Sequence, residues 1–208
     1  MADTVRAHGA HAAPADHAVH TATGLSNAKL GMWAFLGSEC LLFGALISSY
    51  VLYRGRAVPN TLTPKDVYDI PYTSVSSFVL LMSSLTMVLA LAAIQRGDQE
   101  KLRAWLMATA LLGMTFIAGQ VYEFTRFVQE GLSIKSNAAA SAFFTLTGFH
   151  GAHVTVGILM LLSLFGMSLD GRLPPERAEV VELIGLYWHF VDIVWIVIFT
   201  VVYLIPAK

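Results

Sequence analysis

Two histidines three residues apart, His150 and His153 in GFHGAHVTVG, lie inside a run from Ala138 to Leu169 that contains no Asp, Glu, Lys or Arg. On a helix that spacing puts both imidazoles on one face. A second couple, His189 and Asp192 in WHFVD, sits in another apolar run. Carboxylates stand in two more: Glu39 in GSECLLFG, and Glu123, three residues before Arg126. Three chemistries suit this set. Imidazoles from two helices, such as His150 and His189, can ligate a haem iron. Imidazoles with Asp192 or a glutamate can hold a transition metal. The same groups can also satisfy one another through hydrogen bonds, a carboxylate accepting an imidazole N–H and fixing its tautomer. Spacing alone leaves all three open. Glu123 and Arg126 share a helix face and are expected to form a structural ion pair. Glu39, in mid-segment, must be neutral, hydrogen-bonded, or turned toward protein or water.

The elements that carry these groups are long and apolar. The chain of 208 residues is 56% hydrophobic and 13% charged, against roughly 25% charged in a soluble domain. A membrane helix needs about 20 mainly apolar residues. Five segments qualify: Leu30–Tyr53, Tyr72–Ile94, Ala104–Val128, Ala138–Leu169 and Leu183–Ile205. The sequence therefore predicts an all-α, polytopic membrane bundle of five transmembrane helices. The fourth is longer than a bilayer requires and should tilt or project. The fourth and fifth are antiparallel neighbours through a short connection, so the two histidine-bearing faces are expected to meet.

Residues 1–28 read as a flexible Ala- and His-rich tail and residues 29–208 as one five-helix domain. The net charge of -1 offers no basic footprint for nucleic acid. The single cysteine, Cys40, allows no internal disulfide and is expected to be a small buried hydrophobe. With the N-terminus inside, Arg6, Lys29, Arg96, Lys101, Arg103, Arg172 and Arg177 fall on the cytoplasmic side. Arg54, Arg56, Lys65, Arg126, Lys135 and Lys208 fall on the other. The tight QRGDQEKLR connection is the clearest positive-inside signal, and it puts the C-terminus outside.

Longer motifs carry a resemblance. TGFHGAHVTVG followed by YWHFVDIVWIVIFTVVYL, with MWAFLGSECLLFG in the first span and GQVYEF in the third, resembles the heme–copper oxidase subunit III family. The likeness runs from about residue 29 to 206 and matches the short five-helix bacterial form. It implies a non-redox subunit of a proton-pumping terminal oxidase in the aerobic respiratory chain, in the bacterial cytoplasmic membrane. Its partners would be the catalytic subunit I, subunit II, membrane lipids and, more widely, a respiratory supercomplex. It implies no haem, copper or other metal in this chain, with phospholipid in its clefts. His150, His153, His189 and Asp192 would then be a buried hydrogen-bonded network. Glu39 matches the family's membrane-embedded carboxylate, tied either to proton supply or to packing. Cytochrome c is the expected electron donor. The nearer alternatives are a quinol oxidase subunit and the related accessory subunit of a nitric oxide reductase. A haem-binding electron carrier and a small proton-coupled transporter are rivals of other classes.

Overall fold

The computed structural model describes residues 24, 26–55 and 69–205. The predicted tail lies outside them, apart from its last few residues. Among the described residues there are five helices long and apolar enough to cross a membrane, and no strand. They are α1 (Asn27–Arg54), α2 (Ile70–Gln95), α3 (Gln99–Gln129), α4 (Ala138–Leu169) and α5 (Ala178–Phe199). Hydropathy located the fourth to the residue. It placed the start of the fifth too late, because Glu179 and Glu182 interrupt the apolar run there. A 3-10 turn, Pro175–Arg177, leads into α5, and a π-helical turn, Thr200–Leu204, ends it.

Four helices begin the same way. The side chains of Ser26, Asp69, Asp98 and Asn137 accept from the backbone N–H three residues on, at 3.2, 3.2, 3.1 and 2.7 Å. Each satisfies a donor that the first turn leaves unpaired. At Asp98 the Nζ of Lys101 also donates to the carboxylate at 2.6 Å. That hydrogen bond holds the Asp98 carboxyl below its ordinary range. Gly97 and Gly171 follow α2 and α4 with φ of 75° and 69°, a left-handed conformation that favours glycine and reverses the chain.

The helices close into a ring in the order α1, α4, α3, α2, α5, with α4 also touching α5 across it. Trp188 of α5 fills the interior, lying between Gly113 of α3 and Gly157 of α4. A Cβ at those glycines would come within 2.6 and 2.8 Å of the indole ring. The absence of side chains there is what admits the tryptophan, as packing between membrane helices commonly requires. α1 is the least buried of the five and leaves most of its surface uncovered, Cys40 included. Cys40 is therefore exposed on the outer side of α1, not a buried hydrophobe.

At the end where α1 begins, Ser26 donates to Glu179 and Lys29 pairs with Glu182 at 2.9 Å. Arg103 donates to the hydroxyl and the carbonyl of Ser168 at 3.1 and 2.8 Å. At the other end, Arg54 reaches the carbonyls of Val201 and Ile205 at 2.8 and 3.4 Å, beside the π-helical turn.

Candidate functional site

The buried ionisable groups of the spans, His150 apart, fall at three seams rather than in one network. The first joins α1 to α4. His153 Nε2 lies 3.1 Å from Glu39 Oε2, and His153 Nδ1 lies 2.8 Å from the backbone carbonyl of Phe149. A carbonyl can only accept, so Nδ1 carries a proton. A neutral imidazole then has a lone pair at Nε2, which cannot face a carboxylate lone pair at 3.1 Å. One further proton must therefore sit between Nε2 and Oε2, either on the imidazole or on the carboxyl. The pair holds that proton at zero net charge, the state a low-dielectric setting favours. Tyr187 of α5 donates its hydroxyl to the His153 carbonyl at 3.0 Å, and Phe43 sets its ring edge-on to the imidazole at 5.0 Å. The pair is not sealed. The side chains of His153 and Glu39 keep 18% and 15% of their exposure. They line a cleft of about 390 Å³ with Met32, Phe35, Met160 and Tyr187.

The second seam joins α2 to α5. Ser77 and Ser83 accept from the indole N–H groups of Trp195 and Trp188 at 2.8 and 3.0 Å. Ser84 Oγ lies 2.6 Å from His189 Nδ1 and beside Asp192. Asp192 is 4% exposed, and its Oδ1 has no hydrogen-bond partner.

The third seam gathers around Glu123 of α3, which is 3% exposed. Thr73 of α2 donates to its Oε1 at 2.7 Å, Tyr203 donates to the same oxygen at 3.4 Å, and Gln120 donates to Oε2 at 3.3 Å.

Several expectations change. His189 and Asp192 face α2, so they do not meet the histidines of α4. Tyr187 and Trp188, on another side of α5, make the contact with α4. His150 and His153 also part company. His150 turns inward, fully buried, stacked on Trp195 at 4.9 Å and flanked edge-on by Phe116 at 5.9 Å. Both its ring nitrogens lack hydrogen-bond partners. Residues three apart on a helix differ by roughly 60° in direction, enough here for one to look into the bundle and the other toward α1. His150 and His189 thus do not converge as two axial haem ligands would. Among the described residues no group of three His, Cys, Asp or Glu side chains is arranged to hold a metal. Glu123 and Arg126 are not paired to each other either. Arg126 reaches Glu130 at 3.2 Å and Asp69 at 3.7 Å, because Thr73, Tyr203 and Gln120 already surround Glu123. Sequence reasoning missed Ser84, Thr73, Tyr187 and Tyr203, whose partners lie far along the chain. The serine pairs of α2 in SVSSFVLLMSS were a visible signal.

Five long apolar helices closed into a ring, with their polar side chains gathered at seams between helices, define a multi-pass membrane protein. Comparison with known proteins narrows this. The family model described as cytochrome c oxidase subunit III matches residues 9–206. Cytochrome c oxidase subunit 3 of Bacillus sp. (strain PS3) is 38% identical over 178 residues, covering 86% of each chain. Quinol oxidase subunit 3 of Bacillus spizizenii is 36% identical over 197 residues, 95% of each. Cytochrome bo(3) ubiquinol oxidase subunit 3 of Pseudomonas aeruginosa is 37% identical over 192 residues, 92% of this chain and 90% of that one. The chain belongs to the cytochrome c oxidase subunit III family, the third subunit of heme–copper oxidases.

Proposed function

We propose that the chain is a non-redox subunit that braces the catalytic subunit of a proton-pumping oxidase and supports its proton uptake. Electrons pass from cytochrome c to oxygen on haem and copper held by the partner subunits. The observation that carries this is the Glu39–His153 pair. It keeps one proton near the middle of α1, at zero net charge, on a seam that opens to a cleft. The proton can move between imidazole and carboxyl without changing the pair's net charge, and the partial opening to the cleft is where the charge of one proton gained or lost would be met. The remaining polar side chains, His150, His189 and Asp192 with Glu123, hold the helices in register. The cleft between α1 and α4 leaves room for a phospholipid chain.

The orientation follows the basic residues. Lys29, Arg96, Lys101, Arg103, Arg172 and Arg177 gather at the end where α1 begins, which favours a cytoplasmic N-terminus and an external C-terminus in a bacterial cytoplasmic membrane. A quinol donor is the second reading. It is supported by relatives named as quinol oxidase subunits at 36% and 37% identity, against 38% for one named after cytochrome c oxidase.

The test is an oxidase preparation with and without this chain. The complex lacking it should retain haem and copper but lose turnover progressively, and fastest at high pH, where protons are scarce. Unchanged turnover, stability and proton uptake without the chain would overturn the proposal. Supplying reduced cytochrome c or quinol in turn decides the donor.

A further inference from the structure

We propose that the outer face formed by α2 and α5 is where another subunit of the oxidase docks, through a transmembrane helix that offers a hydrogen-bonding side chain to His189. The hydroxyls exposed on the spans show why His189 stands apart. Ser48, Thr115, Thr125, Thr155 and Ser163 each donate to the carbonyl four residues back on their own helix, at 2.7–2.9 Å. Such groups are satisfied before any neighbour arrives, so lipid can cover them. His189 has no bond of that kind. It lies near the middle of α5, partly exposed, and among the described residues its hydrogen bond runs from Nδ1 to Ser84. Its Nε2 meets no hydrogen-bond partner among the described residues, and it stands apart from the enclosed nitrogens of His150.

Around that nitrogen the surface is apolar. Ile193 and Ile196 follow His189 along the exposed stripe of α5, and Leu81, Leu85 and Val88 line the facing side of α2. Hydrocarbon offers nothing to an imidazole nitrogen at this depth, and an unsatisfied polar group there costs several kcal/mol. A helix carrying an amide, hydroxyl or carboxyl group at the same level removes that cost, while its apolar residues cover the isoleucines and leucines. α3 carries the contrasting surface. Leu111, Met114 and Val121 are exposed, with Thr115 and Thr125 already bonded within their helix, so that face suits lipid.

The inference rests on the reading of the chain as an oxidase subunit, and the experiment separates the two. A photo-crosslinking residue is placed at Leu85 or Ile193, and in controls at Leu111 or Val121, in membranes holding the whole complex. Crosslinks from Leu85 and Ile193 to another oxidase subunit, with none from Leu111 and Val121, are expected. Oxidase crosslinks from the α3 positions alone, or from none of the four in a complex that still co-purifies, would overturn the docking face. Failure of the chain to co-purify with any oxidase subunit would overturn the functional reading itself. A second measurement follows release of the chain from the detergent-solubilised complex. His189→Leu should speed release by on the order of tenfold, the worth of one buried interhelical hydrogen bond. His189→Gln should recover part of the loss. A His189→Leu complex that releases the chain at the parental rate would overturn the proposal.

Discussion

Two glutamates inside the spans, Glu39 and Glu123, stand in opposite surroundings. Glu123 is almost fully enclosed, with donors from Thr73 and Tyr203 on one carboxyl oxygen and from Gln120 on the other. Three elements meet at it: the start of α2, the last turns of α3 and the π-helical turn after α5. Among the described residues Glu39 meets one hydrogen-bond partner, the His153 imidazole, and it borders an open cleft. A carboxyl surrounded by donors is a rivet, since any change in its protonation disturbs several hydrogen bonds at once. A carboxyl that shares one proton with one imidazole can change state by moving that proton alone. Glu123 is both the more buried and the more fully bonded of the two, and on that difference rests the proposal that Glu39 alone handles a proton.

The largest expected effect comes from breaking the rivet. Glu123→Leu removes the acceptor of Gln120 and the oxygen that Thr73 and Tyr203 share, although Thr73 keeps the Asp69 carbonyl at 3.0 Å. At about 1–3 kcal/mol for a buried group left unsatisfied, the loss should be about 3 kcal/mol or more. Thermal unfolding of the purified complex, or the amount of chain retained in membranes, measures it. Glu123→Gln keeps the shape and one acceptor oxygen and should cost about 1 kcal/mol.

Next in size is the interior packing that both regions depend on. Gly157→Ala puts a methyl group 2.8 Å from the Trp188 ring, and Gly113→Ala puts one 2.6 Å from it. Overpacking of this kind costs about 1–3 kcal/mol. Trp188 fluorescence should shift as the ring moves. Gly148→Ala, with nothing within 4 Å of its added Cβ, is the matched control and should be nearly silent.

The smallest effect is at the surface of the bundle. Asp98→Ala removes a helix cap and a hydrogen bond to Lys101, so the connection between α2 and α3 should fray earlier on heating. Because the folded carboxyl is held below its ordinary value near 3.8, its contribution is complete above that value. It is lost as pH falls through the lowered one. Hydrogen exchange at Lys101 N–H between neutral and acidic pH should show that loss, and Asp98→Asn should remove the pH dependence.

How far the sequence reached differs between the same two regions. The spans follow from hydropathy, and α4 runs from Ala138 to Leu169 as its uncharged stretch requires. Side-chain partners were another matter. Spacing along one helix suggested that Glu123 pairs with Arg126. The donors that surround Glu123 come from Thr73 and Tyr203, 50 and 80 residues away, and no local pattern registers them. The π-helical turn that precedes the C-terminus, with Tyr203 in it, carries no sequence signature. At the other seam the histidines were visible as unusual residues in an apolar run. Their roles depended on which neighbour each faces: α1 for His153, the aromatic interior for His150 and α2 for His189. Those directions depend on how the helices are rotated against one another, which a hydropathy pattern with apolar residues all round does not fix.

The central claim is that Glu39 handles a proton and Glu123 does not. The direct measurement is proton uptake by the assembled oxidase during turnover, from neutral to high pH, in Glu39→Gln and Glu123→Gln complexes matched for haem content. Glu39→Gln should assemble normally and lose uptake increasingly as pH rises, while Glu123→Gln should be less stable but take up protons at the parental rate per intact complex. Parental uptake across the whole pH range in the Glu39→Gln complex would contradict the claim and leave the Glu39–His153 pair as a structural contact between α1 and α4.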